Sequence, residues 1–266
     1  MRIFILGNSH AMTMARAFPG QAFNTTINEN SAGETRHSHS CTDNCLDEYH
    51  DPSNDIVEHI FDPLLHGQID IGHKTVQYEK QEITFIWRIP SGIHKLPKEA
   101  FDLMLDPFKN ELGQNTIVIP CWGDYDLKRN LVKYDNAREE VSIYMDKVID
   151  YFRPFQSHIF FMNPIPFTDD PVFLESEEYK AIFGPRYSLE QTQYQYLKFV
   201  DALAELSMEK WLKKPFRIHE NVIEGMFTNR VSTADGCHLN EEYSIKLIQY
   251  VINRLKIDMY NLYIVQ

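Results

Sequence analysis

Apolar positions recur along this chain with two periods. Arg2 to Leu6 (RIFIL) is a short apolar run ending at Gly7, the pattern of a buried strand. Ala22 to Asn28 and Thr116 to Pro120 (TIVIP) read as further strands, and His158 to Met162 (HIFFM) as another, ended by Asn163-Pro164. Ile69 to Tyr78 and Glu82 to Ile89 alternate as the arms of a hairpin, and Phe216 to His219 is the expected last strand. Between them the period lengthens. His10 to Phe18 is a helix stopped before Pro19-Gly20. Val141, Tyr144, Met145, Val148, Ile149 and Phe152 share one helical face. Ser188-Leu189-Glu190-Gln191 is a capping box, opening a helix with Tyr196, Val200, Leu203, Ser207 and Trp211 along one side. Asn240 caps a final helix whose first turn holds Glu241 and Glu242, and whose stripe is Leu247, Ile248, Val251, Ile252 and Leu255.

Strands alternating with helices predict an α/β fold, with a mostly parallel sheet of about five strands and helices on both faces. With 266 residues and no repeat or linker, the expectation is a single domain over 1–266, carrying an irregular insertion at about 35–97. Asn30 to Pro52 is polar and reads as a long loop.

Composition narrows the function. The chain is 43% hydrophobic, enough for a sizeable core, and carries a net charge of −12, which argues against a nucleic-acid partner. No segment has the apolar length of a membrane span or the layout of a secretory signal, so a cytoplasmic location is expected. Four cysteines are too few for a disulfide scaffold.

The candidate chemistry sits in short polar blocks next to these elements. In an open parallel sheet, ligands bind at the carboxyl ends of the strands. Ser9 follows the first strand and opens the first helix, where its backbone N–H and the helix dipole favour a developing negative charge. Asp235 precedes His238 by three residues, a spacing that lets a carboxylate hold the imidazole and leaves its other nitrogen to take the Ser9 proton. Each residue has a plainer reading: Ser9 as a helix N-cap, Asp235-Gly236 as a turn, His238 as structural. Asp124 and Asp126 are a possible acid/base pair, or else bind neighbouring backbone N–H groups. Cys237, beside His238, is disfavoured as a nucleophile because adjacent side chains in a loop point apart. A competing site is His37-x-His39-x-Cys41 followed by Cys45, with Asp43, Asp47 and His50 near, which is zinc-ligand chemistry at a spacing that matches no common zinc motif. A polar loop is the favoured reading there.

In motif order the chain resembles the SGNH hydrolases, also called the GDSL family. Gly7-Asn8-Ser9 is similar to the family's Gly-Asp-Ser block, with Asn for Asp. Asn28 to Thr35 resembles the second block, with Gly33 at the position whose N–H completes the oxyanion hole. Gly123-Asp124-Tyr125-Asp126 stands where Gly-x-Asn-Asp is found, and Asp235 to His238 matches the last block. The resemblance implies a flavodoxin-like three-layer sandwich and a Ser9-His238-Asp235 triad, with the N–H groups of Ser9 and Gly33 as oxyanion hole. It implies a serine esterase or O-acyltransferase that needs no cofactor and no metal. Tyr125 replaces the family's oxyanion Asn, which leaves the Tyr125 hydroxyl or the Asn163 amide as substitute donors and substrate contacts. Gly-Asp-Tyr-Asp is also similar to a Gly-Glu-Ile-Asp block of relatives tied to bacterial surface-glycan synthesis. The expected partner is therefore a small-molecule or glycan acyl ester. The alternative is a catalytically weak SGNH-fold protein that binds glycans.

Overall fold

The computed structural model describes residues 2–19, 22–28, 37–41, 68–89, 92–93, 96–127, 131, 135–176, 187–223, 225, 227–228, 231–233 and 238–264. Seven strands form one sheet in the order β3-β2-β4-β5-β1-β6-β7. They are β1 (Arg2–Gly7), β2 (Ala22–Asn28), β3 (His37–Cys41), β4 (Gln68–Tyr78), β5 (Gln81–Ile89), β6 (Thr116–Cys121) and β7 (His158–Ile159). The long helices are α1 (Ser9–Arg16), α2 (Lys98–Leu105), α3 (Ala137–Phe152), α4 (Leu189–Glu209) and α5 (Glu241–Ile264). β1 is parallel to both β5 and β6, and β6 to β7. β4 is antiparallel to β5 and to β2, and β2 to β3. Five strands therefore run one way, with β3 and β4 opposed: a mostly parallel α/β sandwich with an open sheet.

The two faces of β1 show why the layers form. Successive strand residues point to opposite sides. Ile3 and Ile5 join one core with α1 and α5, through Met12, Leu247 and Val251. Phe4 and Leu6 join the other with α2, α3 and α4, through Phe101, Val148 and Phe199. All four β1 side chains are fully buried. At about 1.5–3 kcal/mol for each apolar side chain taken from water, this strand alone is a large stabilising element.

Most expected elements form. The hairpin of β4 and β5 turns at Glu79 and Lys80, both at positive φ, and enters the sheet beside β1. Part of the stretch expected to be irregular is thus central: β5 stands between β1 and β4, so two strands, β4 and β5, separate β2 from β1. His37–Cys41 is a strand, where a loop was expected; Cys45, Asp43, Asp47 and His50 of the suggested zinc cluster lie outside the described residues. Phe216 to His219 is not a strand. Phe216 makes a single bridge to Met162, and Ile218–Asn221 turns as a short helix.

The capping box at Ser188 is present in both directions and starts α4. The helix ends in a Schellman turn: Leu212 N–H donates to the Ser207 carbonyl at 2.8 Å and Trp211 N–H to the Met208 carbonyl at 3.1 Å. Trp211 takes the left-handed position, φ 57°. The expectation that it continues the buried stripe fails, because the helix has already ended and the indole is 95% exposed. Among the described residues no helix is long and apolar enough to cross a membrane.

Candidate active site

Parallel pairing brings the site's first pieces together. Gly7 is in register with Cys121 of β6 and with Trp87 of β5, so residues 8–10 and 122–124 leave the sheet side by side. Gly7 has no room for a side chain: a Cβ there would meet Ala11 Cβ at 2.9 Å and the Cys121 carbonyl at 3.0 Å. Its absence lets α1 start directly above β6.

The N-cap of α1 is Asn8, not Ser9. The Asn8 side-chain oxygen accepts from His10 N–H at 3.1 Å. The plainer reading of Ser9 as a cap is therefore taken over by its neighbour, and the Ser9 hydroxyl is used elsewhere. Ser9 Oγ lies 2.9 Å from His238 Nε2, across 229 positions of sequence. Ser9 is half-buried and His238 buried. The distance suits a hydroxyl donating to an imidazole nitrogen, the contact through which a general base takes the proton of a nucleophile. As a first-turn residue, Ser9 has an N–H with no intrahelical acceptor, so it is available to an anion.

His238 is held by a pinned segment. Thr233 and Leu239 form an antiparallel bridge, Asn240 N–H donates to the Ser232 carbonyl at 3.0 Å, and the Asn240 amide donates to the Val231 carbonyl at 2.8 Å. The Asn240 side-chain oxygen also accepts from Tyr243 N–H at 3.0 Å, which starts α5 as its cap. Asp235 and Cys237, within the loop this bridge closes, lie outside the described residues, as does Gly33.

An imidazole–carboxylate pair lies beside this contact. His10 Nε2 lies 3.1 Å from Asp124 Oδ2, both side chains almost wholly buried. The Asn8 amide donates to the other Asp124 oxygen at 2.5 Å. The His10 and His238 rings are 4.8 Å apart between centroids. The sequence pointed to Asp124 and to the block holding Asn8, but not to their contact with each other or with His10. The usable signal was positional: two polar blocks, each following a strand, become neighbours once β1 and β6 are paired in parallel.

The third block is fixed by its ends. Gly123 has φ 123°, and a Cβ there would fall 2.6 Å from the Phe199 ring, so only glycine fits. Asp126 Oδ2 accepts from Ile93 N–H at 2.7 Å, tying down the segment after β5. The backbone-binding reading of Asp126 accordingly holds, and Asp124 and Asp126 serve different partners. Burial first, and the charge of Asp124 second, push the Cys121 thiol far above its ordinary value, which removes it as a nucleophile. Tyr125 lies in the helical turn Asp124–Leu127. Asn163 is fully buried, and neither of its side-chain polar atoms has a partner; no hydrogen bond joins it to Ser9, His10 or His238. No protein-family model matches this sequence, and no curated protein does.

Proposed function

We propose that this chain is a serine esterase or O-acyltransferase of the SGNH type. The observation that carries the reading is the Ser9 Oγ–His238 Nε2 contact at 2.9 Å, made by a serine that a neighbouring residue has relieved of capping. In the proposed reaction Ser9 Oγ bonds to the acyl carbon of an ester while its proton passes to His238 Nε2. The tetrahedral oxyanion rests on the Ser9 N–H, with Gly33 N–H as the proposed second donor. Collapse breaks the bond to the leaving alkoxide, which takes the proton from His238. Water or an acceptor hydroxyl then attacks the acyl-enzyme as His238 removes its proton, and the Ser9 Oγ–acyl bond breaks as His238 returns that proton to Ser9, which releases the product and regenerates the enzyme. Asp235 is proposed to hold the His238 ring. An acylated glycan is the substrate class that the block 123–126 suggests.

Labelling with a fluorophosphonate tests this directly. The protein is expected to label at one site, and Ser9→Ala to abolish labelling while keeping its circular dichroism and melting temperature. Absence of labelling in the native protein, or labelling that survives Ser9→Ala, refutes the serine mechanism and favours glycan binding by the same fold.

A further inference from the structure

We infer that His10 and Asp124 form a second dyad that positions His238, through ring contact, for its work on Ser9. The inference rests on the Ser9 reading and adds residues to it. Three observations join in one chain of contacts. The Asp124 carboxylate is held on both oxygens, by the Asn8 amide on one and by His10 Nε2 on the other at 3.1 Å. A carboxylate accepts only, so His10 must carry its proton on Nε2 to make that bond. This fixes the rotation of the His10 ring. The fixed ring then lies 4.8 Å from the His238 ring, at 47° between planes.

A surface-exposed imidazole needs no such backing, but this pair is buried. Side-chain exposure is 4% for His10 and 6% for Asp124. Burying a charged carboxylate is unfavourable unless it is paired and hydrogen-bonded, and both Asp124 oxygens are bonded here. The same Asn8 that caps α1 also holds Asp124, so the start of the helix bearing Ser9 and the backing of His238 are one connected unit. A shift of the His238 ring by a fraction of its width would spoil the line from Oγ to Nε2, and the dyad removes that freedom. His10 and Asp124 are positioning residues in this scheme and exchange no proton with substrate.

The test measures fluorophosphonate labelling rates, and kcat and KM on a model acetyl ester, for the native protein, His10→Ala, His10→Phe and Asp124→Asn. His10→Ala removes ring and bond, and the expected loss in labelling rate and kcat is about 10²-fold, the cost of a misplacement near 1 Å, with KM little changed. His10→Phe keeps a ring against His238 and is expected to recover part of the loss. Asp124→Asn is nearly isosteric, guards against a folding failure at position 10, and is expected to slow labelling at unchanged KM. Folded variants at positions 10 and 124 that label at the native rate overturn the inference and leave the Ser9 reading standing. Equal losses in folded His10→Ala and His10→Phe also overturn it, since the ring contact would then be irrelevant. A native protein that does not label overturns both.

Discussion

Replacing Asn8 by Asp puts a carboxylate into the first block, and in this protein it should be harmful. Asp is as good an N-cap as Asn, so the bond to His10 N–H survives. What changes is the group facing Asp124: an amide donor at 2.5 Å becomes a second carboxylate. Two unit charges at that separation repel by about 7 kcal/mol even at an effective dielectric near 20. Keeping one aspartic acid neutral at pH 7, about three units above its ordinary pKa near 3.9, costs about 4 kcal/mol. Protonation is the cheaper escape and sets the ceiling. The shared proton then makes a hydrogen bond that roughly offsets the lost amide bond. The variant should therefore be less stable by about 3–4 kcal/mol at pH 7.

The sign of the pH dependence follows. The pair's folded pKa lies above its unfolded value, so the folded state binds the extra proton and regains stability as pH falls, by about 1.4 kcal/mol per unit down to about pH 4. Urea denaturation of native and variant protein at pH 7 and pH 5 measures the difference at each pH. A variant as stable as the native protein at pH 7, or a deficit equal at both pH values, refutes the reasoning. The swap Asn8→Asp with Asp124→Asn should recover much of the loss, because one donor again faces one carboxylate.

Three further outcomes are expected. Gly123→Ala combines a backbone conformation that disfavours side chains with a clash on Phe199, and should cost about 2–4 kcal/mol by denaturant unfolding. His219, whose Nδ1 lies 3.2 Å from the Tyr196 hydroxyl, has its pKa pushed below the ordinary 6.5, chiefly by burial. Its unfolded form binds protons first, so it contributes stability above pH 6.5 that is lost as pH falls from there through the lowered folded value. His219→Gln should flatten the stability profile in that window relative to native protein. Trp211→Gly should raise stability by up to about 1 kcal/mol, seen as a melting temperature higher by roughly 2–4 °C, because it relieves a left-handed, exposed tryptophan at a position suited to glycine.

What was legible in the sequence were features governed by local rules. Periodicity placed α3, α4 and α5, turn chemistry ended β1 and α1, and the β4–β5 hairpin followed from alternation. Pairing order was not legible. Nothing local to Gln81–Ile89 says that it docks beside β1, because that choice depends on which apolar faces remain to be covered. Phe216 to His219 failed for a related reason: its apolar residues fill the core beneath α5, but among the described residues its backbone bridges only Met162. In the site, Ser9 and His238 were identified by their neighbours in sequence, and the structure brings them together. Asp124 was noticed only as an acid/base or backbone-binding residue and Asn8 only as part of its block, and their link through His10 was not legible because each is ordinary alone. Their meaning arises only when Gly7 and Cys121 are set in register.

The two halves of the Ser9–His238 contact lie 229 positions apart, and the strand that aims Ser9 is flanked on both sides by strands made later in the chain. On the ribosome, β1 must wait for β5 and β6 before its edges are satisfied, and Ser9 must wait longer still for residue 238. Such distant closures raise contact order and slow folding. On the proposed function they also set when Ser9 can react. A nascent chain stalled before residue 238 would hold the strands and Ser9 but lack both His238 and α5, whose Leu247 and Val251 complete the core over Ile3 and Ile5, so on the proposed function Ser9 would become reactive only after both are in place. A ribosome-bound series of increasing length should show labelling switch on abruptly once α5 has emerged.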